Sequence, residues 1–418
     1  RTLYDALERQ YEEYCALNLE LNMARGKPSP DQLELSMPLL DCVNSTSDYH
    51  AADGTDCRNY GVLAGLPEAR TFIASMFDVA PEQVIVCGAS SLNVMFDTIA
   101  RAWISGLGGQ LPWSKLDSVK FICPVPGYDR HFAICEHFGI EMIPVELGED
   151  GPDVAEVARL VADPAVKGIW CVPQYSNPCG YTYSDETVRA LAALEPAASD
   201  FRIFWDNAYA VHHLYDEPTQ QDHVLNIIDA CADADNPDMV FEFCSTSKVT
   251  LPGAGISAFV SSVANVNEML AAMGAQTIGF DKLNQLRHVR FLPTIEAVKE
   301  HMKKHAEFLR PRFEAVERKL TEGLGDTGCA TWTHPRGGYF VSFDGPEGSA
   351  QKVAALCADL GVKLTPAGAT WPYGKDPRDT NIRIAPSYPT VEDLEAALDV
   401  LVLAVKLVAA ELARAERA

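Results

Sequence analysis

The chain has 418 residues, of which 47% are hydrophobic and 22% are charged, a composition typical of a globular protein with about two domains. Its 34 basic and 58 acidic side chains give a formal net charge of −24, which argues against nucleic acid or an anionic membrane as a partner. Apolar stretches such as residues 401–407 are too short to span a bilayer, and residues 1–20 lack the apolar core of a signal peptide.

The twelve cysteines occur singly, without a CxxC pair. This spacing gives no indication of a zinc site or a redox motif, so we expect no metal. Cysteines within apolar runs, such as Cys87 and Cys171, are typical of small buried groups in a reducing compartment, and we expect a cytoplasmic protein.

Short apolar runs alternate with helix-like segments between about residues 55 and 260. This alternation predicts an α/β fold with a mostly parallel, seven-stranded sheet whose two faces are both covered, because its strands are continuous apolar runs. The predicted strands are 84–87, 119–123, 142–145, 168–172, 202–205, 239–243 and 256–260, and the predicted helices between them are 91–104, 129–138, 154–161 and 185–194.

The last third of the chain predicts a second, smaller α+β unit. Residues 295–325 have a helical period, and residues 339–343 and 381–384 are typical of strands. Thr390 and Asp393 have the spacing of a capping pair at the start of a final helix.

Two domains follow from this organisation. Residues 46–295 are predicted to form the large α/β domain. Because chain ends often lie together, residues 1–45 are expected to join residues 296–418 in the small α+β domain.

Lys248 is the first candidate for chemistry. It follows an apolar run and Ser245, and a glycine-rich segment, residues 251–255, comes after it. A desolvated lysine near other cations loses its proton more easily and can form a Schiff base with an aldehyde.

Four further motifs each follow a predicted strand. Ala89, Ser90 and Ser91 open a helix and could bind a phosphate, although a plain helix cap gives the same pattern. Tyr128 could stack on a planar ring or cover the core. Asn177 stands in a proline-glycine turn.

Asp206 and Tyr209 form the last of these motifs. An aspartate after a buried strand is costly to bury without a cation, and a protonated ring nitrogen would serve as one. Tyr209 could direct its phenol at the same ligand. Since the carboxyl ends of parallel strands share one edge, all these motifs should converge on one site.

Together with Tyr60, Gly65 and Arg383, the motifs resemble pyridoxal-phosphate (PLP) aminotransferases of fold type I, class I. The sequences of residues 23–30, 175–180 and 370–374 resemble those of a divergent bacterial aspartate aminotransferase subgroup. The resemblance covers nearly the whole chain. It implies the fold type I architecture, a homodimer with shared active sites, and amino transfer from L-aspartate to 2-oxoglutarate by a ping-pong mechanism.

The resemblance also implies a role for each cofactor-binding residue. Lys248 would hold PLP covalently as a Schiff base and then move a proton in catalysis. Asp206 would keep the ring nitrogen protonated, Tyr128 would stack on the ring, and Asn177 and Tyr209 would hydrogen-bond the ring oxygen.

The remaining roles concern the phosphate and the substrate. Ala89, Ser90, Ser91 and Ser245 would bind the phosphate, and Tyr60 would reach the phosphate of the neighbouring subunit. The substrate would contact a set of three residues, with the guanidinium clamping its α-carboxylate: Gly26, Asn177 and Arg383.

The sequence departs from the family pattern at two points. Ile256 stands where related enzymes have a phosphate-binding arginine, so another cation must balance the phosphate. The candidates for it are Arg25, Lys27, Lys282, Arg287 and Arg290. The residue that would read the second carboxylate of the substrate is not identified by the sequence.

Three alternatives stay open at this point. The first is another PLP enzyme of the same fold, such as an aromatic aminotransferase, a β-lyase or a decarboxylase. The second is a non-catalytic PLP-binding regulator, which the acidic chain and intact Lys248 disfavour. A nicotinamide dehydrogenase is disfavoured because no GxGxxG motif follows an early strand.

Overall fold

The computed structural model describes residues 2–415, and their side chains from residue 4 onwards. Within this range the strands, in chain order, are β1 (Leu21–Asn22), β2 (Val84–Cys87), β3 (Lys120–Val125), β4 (Glu141–Gly148), β5 (Gly151–Pro152), β6 (Val166–Cys171), β7 (Arg202–Asp206), β8 (Val240–Ser245), β9 (Ser257–Val260), β10 (Thr331–Trp332), β11 (Val341–Asp344), β12 (Val362–Lys363) and β13 (Asn381–Ile384).

The α-helices are α1 (Thr2–Cys15), α2 (Pro30–Glu34), α3 (Pro67–Phe77), α4 (Ser91–Ser105), α5 (Asp129–Phe138), α6 (Val154–Leu160), α7 (Asp185–Ala192), α8 (Ile227–Asp233), α9 (Val263–Met273), α10 (Lys282–Phe291), α11 (Ile295–Leu324), α12 (Ala350–Asp359) and α13 (Val391–Ala415). Short 3-10 helices lie at Met37–Asp41, Pro81–Gln83, Trp113–Lys115, Pro218–Gln220, Pro252–Ala254 and Pro372–Gly374. None of the described helices combines the length and apolarity that a bilayer crossing requires.

The large sheet has the order β2-β9-β8-β7-β6-β3-β4-β5. Its central pairs, from β8 through β7, β6 and β3 to β4, are parallel, whereas β9 is antiparallel to both β2 and β8. All seven predicted strands are present. The two-residue β5, antiparallel to β4, is an eighth strand that the sequence did not predict.

Both faces of this sheet are covered, as its apolar strands predict. Phe204 faces a core that it shares with helices α4, α5 and α9, whereas its neighbours Ile203 and Trp205 face the core under α6, α7 and α8. Successive side chains of a strand point to opposite faces, so a fully apolar run requires helices on both sides.

A second sheet, β10-β11-β13, is antiparallel and lies with α11 and α13 in another core. Strand β1 pairs with β12, and α1 packs on α13, so the first residues contact the last part of the chain. The Thr390 side chain accepts a hydrogen bond from the Asp393 amide and caps α13 as predicted. The division at residues 45 and 295 stays a prediction, which these contacts support.

Candidate active site

The carboxyl ends of four adjacent strands, β3, β6, β7 and β8, surround a cavity of about 510 Å³. Most of the predicted site residues line it, although they are far apart in the chain. They are Gly26, Ser90, Ser91, Tyr128, Asn177, Asp206, Tyr209, Ser245, Lys248 and Arg383.

Two predicted cofactor residues lie outside the wall of this cavity. The Ala89 carbonyl accepts a hydrogen bond from Ser247 Oγ at 3.5 Å, so Ala89 stands beside the cavity at the start of α4. The Tyr60 side chain is 83% exposed. Its loop is held by Lys282, whose amine donates to the carbonyls of Asn59 and Gly61 at 2.6 and 3.0 Å.

Lys248 points its amine into the cavity from a single helical turn that follows β8. Desolvation lowers the pKa of this amine, and the charge of Arg383 lowers it further, whereas Asp206 acts in the opposite direction. The amine nitrogen lies 5.2 Å from the ring centre of Tyr209 and 5.7 Å from that of Tyr339. A neutral amine among aromatic rings is a competent nucleophile toward an aldehyde.

Asp206 ends β7 and is only 3% exposed. Its Oδ2 lies 2.9 Å from Nε2 of His131, whose ring stacks on Trp170 with a centre-to-centre distance of 4.3 Å. Its Oδ1 is buried and has no hydrogen-bond partner among the described residues. A buried carboxylate oxygen without a partner is costly, and a protonated pyridine nitrogen would satisfy it.

Sequence reasoning missed His131. The signal was available, because His131 stands three residues after Tyr128 in the first turn of α5 and therefore lies on nearly the same helix face. Its edge-to-face contact with the Tyr128 ring, at 4.9 Å between centres, follows from that spacing.

Arg383 enters the cavity from β13. Its Nη1 donates to Asp129 Oδ1 at 3.1 Å and to Asn177 Oδ1 at 3.2 Å, and the guanidinium lies 4.7 Å above the Phe340 ring. Its Nε is buried without a partner among the described side chains. Because the Asn177 oxygen is used by Arg383, its amide N–H groups are left to donate to a ligand. Asp129 and Phe340 were not predicted.

Gly26 packs closely against the Phe340 ring, which also contacts Arg383. A Cβ at this position would approach the Phe340 Cζ within 2.1 Å. A side chain at this position would therefore require the Phe340 ring, which supports Arg383, to move.

The two cavity tyrosines are neutral donors. Burial raises the pKa of Tyr128 to about 12, with the charges of Asp206 and Asp129 acting in the same direction. Burial raises the pKa of Tyr209 well above its usual range. Both phenols therefore keep their protons at neutral pH and can donate hydrogen bonds.

The end of the cavity that the sequence predicts to bind phosphate is formed by the start of α4 and by serines. Ser90 is the N-cap of α4, and its side chain makes no capping hydrogen bond, so the hydroxyl is free for a ligand. Ser245 Oγ donates to Ser247 Oγ at 3.1 Å, which brings a further, unpredicted hydroxyl to the cavity wall. Backbone N–H groups at a helix start favour an anion.

The predicted cation candidates divide into two groups. Arg25 and Lys27 line the cavity. Lys282, Arg287 and Arg290 instead donate to backbone carbonyls between residues 42 and 61. Ile256 is buried and donates its amide to Thr246 Oγ1 at 3.0 Å.

The comparisons with known proteins agree with this geometry. The profile of the family described as "Aspartate amino-transferase" matches residues 2–417. An aspartate aminotransferase of Corynebacterium glutamicum is 46% identical over 409 residues, which cover 98% of this chain and 94% of that protein.

The chain belongs to the aspartate aminotransferase family.

The solved structures extend this result to the fold. The crystal structure of an aspartate transaminase from Corynebacterium glutamicum is 46% identical and has a TM-score of 0.95, with 98% of this chain and 96% of that chain covered. An α-aminoadipate aminotransferase of Thermus thermophilus, solved with N-(5'-phosphopyridoxyl)-L-leucine, is 18% identical with a TM-score of 0.75 over 97% of this chain and 95% of that chain, and shares the fold.

Several predictions made from the sequence are thereby confirmed. The protein is a PLP-dependent aminotransferase with the fold of that class. The alternatives of a β-lyase, a decarboxylase, a non-catalytic regulator and a dehydrogenase are set aside. The cavity also fits the cofactor, since it offers a reactive amine, an unpartnered carboxylate oxygen and hydroxyl groups at a helix start in one enclosure.

Proposed function

We propose that this aminotransferase moves the amino group of L-aspartate to 2-oxoglutarate in two half-reactions, with the cofactor carrying the amino group between them. The names of the two Corynebacterium relatives support this substrate pair. The observation that carries the proposal is the charge of the cavity. In a protein of net charge −24, four cationic side chains line it beside the Lys248 amine, against two carboxylates. The cations are Arg25, Lys27, Arg130 and Arg383, and the carboxylates are Asp129 and Asp206.

Different cationic side chains would bind the two carboxylates of the substrate. Arg383 would bind the α-carboxylate, because its planar fork suits two parallel hydrogen bonds and its Nε lacks a partner among the described residues. Arg130 is exposed at the cavity and forms no ion pair with the acids that the structure describes. A second carboxylate on the substrate side chain would give it a partner.

Pyridoxal phosphate, when bound, supplies an aldehyde for the amino group and a ring that withdraws electrons from the substrate Cα. Lys248 would hold the cofactor through its amine. With the substrate in place, the Lys248 amine would act as the base that accepts the proton of the substrate Cα. Its lowered pKa favours the neutral form that accepts this proton.

The groups around Lys248 would orient the ring. Asp206 would hold the proton on the ring nitrogen through its unpartnered Oδ1, while His131 fixes the other oxygen. Asn177 and Tyr209 would donate to the ring oxygen, and Tyr128 would stack on the ring face.

The phosphate would bind the start of α4 through the Ala89 amide and the hydroxyls of Ser90 and Ser91. Ser245 and Ser247 would add hydroxyls from the other side. Related enzymes have a phosphate-binding arginine at the position of Ile256. Arg25 or Lys27 would supply the missing positive charge here. The loop of Tyr60 would reach the phosphate of a second copy, so we propose a homodimer with shared sites.

A cytoplasmic location remains a proposal, supported by twelve cysteines that are all unpaired in the structure.

A panel of amino donors assayed with 2-oxoglutarate tests the substrate assignment. We expect L-aspartate to give the highest kcat/KM, with alanine and aromatic amino acids at least tenfold lower, because only a dicarboxylate uses the second cationic group. A higher kcat/KM for phenylalanine or tyrosine would instead support an aromatic aminotransferase. Sedimentation of the purified protein tests the dimer.

A further inference from the structure

The turn that carries Lys248 ends in a backbone carbonyl held by two histidines. The amides of Val249 and Thr250 both donate to the Thr246 carbonyl, at 2.9 and 2.8 Å, and form one helical turn. The Val249 carbonyl, directly after Lys248, accepts hydrogen bonds from Nε2 of His301 at 2.7 Å and Nε2 of His305 at 3.0 Å, and a longer one from Ser36 Oγ at 3.4 Å. A helical turn leaves such carbonyls without an internal partner, so a buried one requires external donors.

The hydrogen bonds fix the tautomer of His305. Gln32 Oε1 accepts from the Ser29 amide at 3.1 Å, which sets the direction of the Gln32 amide group. Its Nε2 then donates to His305 Nδ1 at 3.1 Å. Because Nδ1 accepts, the His305 proton lies on Nε2, where it donates to the Val249 carbonyl. Burial lowers the pKa of His305 to about 4 and lowers that of His301, so both rings are neutral donors.

The same glutamine reaches Lys248 by a second route. Gln32 Nε2 also lies 3.1 Å from the hydroxyl of Tyr339, and the Tyr339 ring lies beneath the Lys248 amine. Gln32 is completely buried in α2. One side chain from the N-terminal segment therefore contacts both the histidine that holds the lysine backbone and the tyrosine below the lysine amine.

A third imidazole, with the opposite tautomer, contacts the turn at both Thr246 and Thr250. His288 Nδ1 lies 2.8 Å from the Asn284 carbonyl and must carry the proton. Its Nε2 therefore accepts from the Thr250 hydroxyl, at 2.9 Å. The three rings thus contact the turn or its neighbours through hydrogen bonds.

We propose that His301 and His305, with Gln32 behind them, are positioning residues that set the direction of the Lys248 amine. The inference rests on the proposed attachment of the cofactor to Lys248. During turnover the Lys248 amine must reach both the cofactor aldehyde and the substrate Cα. It can move between these two atoms only by motion of the Lys248 side chain. A backbone fixed at the Val249 carbonyl confines that motion to the side chain, which keeps the amine within reach of both atoms.

The test compares two kinds of substitution at each histidine. His301→Phe and His305→Phe each remove one donor to the Val249 carbonyl and leave the others in place. His301→Gln and His305→Gln keep an N–H group near the position of Nε2. His334→Phe, at an exposed histidine, is the chemical control, and Leu191→Ala, in the buried face of α7, is the control for a loss of stability. The readouts are amide exchange of residues 246–250, the dissociation rate of the cofactor, and the pH midpoint of the cofactor absorbance.

We expect the phenylalanine variants to show faster amide exchange in the turn, a shifted absorbance midpoint and cofactor loss about tenfold faster than wild type, because a buried carbonyl has lost a donor. The glutamine variants and both controls should stay within about twofold of wild type, with Leu191→Ala lowering only Tm. Folded phenylalanine variants with wild-type values in all three measurements, or values no different from those of Leu191→Ala, would overturn the proposal.

Borohydride reduction followed by peptide mass spectrometry separates this result from the proposed function. A label on Lys248 in the wild-type protein would support the proposed attachment of the cofactor. The histidine variants would then test the positioning role alone. A label elsewhere would overturn both the attachment and the positioning role.

Discussion

Asp129 Oδ1 lies 3.1 Å from Nη1 of Arg383, the arginine proposed to bind the substrate α-carboxylate. The Arg383 side chain is 9% exposed, whereas that of Asp129 is 35% exposed and can turn toward solvent. A substrate carboxylate must therefore share the guanidinium with Asp129 or displace it. Nε, which has no partner among the described residues, gives the substrate a place that Asp129 does not use.

Replacing Arg383 should weaken the binding of every amino-acid and oxo-acid substrate. We expect Arg383→Ala to lower kcat/KM by an amount that corresponds to about 2–5 kcal/mol of lost binding free energy, because a desolvated charge pair is lost. Arg383→Lys should recover only part of this loss, since an ammonium lacks the planar fork. Steady-state kinetics with aspartate and with alanine measures the effect of both substitutions. An unchanged kcat/KM for either substrate would count against α-carboxylate binding by Arg383.

Lys248→Ala should abolish turnover and the visible absorbance of the lysine-bound cofactor. The reason is that this variant lacks the amine proposed to bond the aldehyde and to accept the Cα proton. Lys352→Ala, at an exposed position of α12, is the matched control and should retain both properties. Absorbance spectra and stopped assays check the result, and a Lys248→Ala enzyme with wild-type rate refutes the assignment.

Arg130→Ala should change specificity rather than overall activity. We expect kcat/KM for aspartate and 2-oxoglutarate to fall about tenfold or more, because the side-chain carboxylate loses a charge-assisted hydrogen bond of about 1.5–3 kcal/mol. The value for alanine should change less than twofold. Arg159→Ala, an exposed arginine of α6, serves as the control. Equal losses for aspartate and alanine would show that Arg130 does not read the second carboxylate.

The buried His305 should make the protein sensitive to acid. Its folded-state pKa of about 4 lies below the ordinary 6.5, so the unfolded chain binds this proton more tightly. The stability is fully present above pH 6.5 and is lost as the pH falls toward 4, by up to about 3 kcal/mol for this ring. Burial is the main cause, and the neighbouring His301 adds to it.

Thermal unfolding between pH 4 and 7 measures this effect. The loss of Tm on acidification should be smaller in His305→Gln, which has no titrating ring at this position, than in wild type. Parallel pH profiles for the two proteins would contradict the assignment of the effect to His305.

The large sheet and most of the cavity wall could be predicted because they depend on local patterns. Continuous apolar runs mark the strands, and polar motifs directly after them must meet at one sheet edge. Asp129 and His131 were missed because the motif was read only as far as Tyr128. Gln32, His301 and His305 were missed because their contacts with Lys248 and its turn join segments more than fifty residues apart.

The cations show the same limit of sequence reasoning. Arg25 and Lys27 could not be separated from Lys282, Arg287 and Arg290, because only the fold decides whether a side chain reaches the cavity or a backbone carbonyl. The role of Tyr60 depends on a second copy of the chain, which no pattern within one chain can place.

The lowered pKa of Lys248 has a practical use in protein chemistry. Exposed lysines are mostly protonated at neutral pH, whereas this amine is more often uncharged and therefore captures small activated esters sooner. Pyridoxal phosphate, attached there as proposed, would shield it. The extent of modification at this one position in a peptide digest would then measure what fraction of a preparation lacks the cofactor.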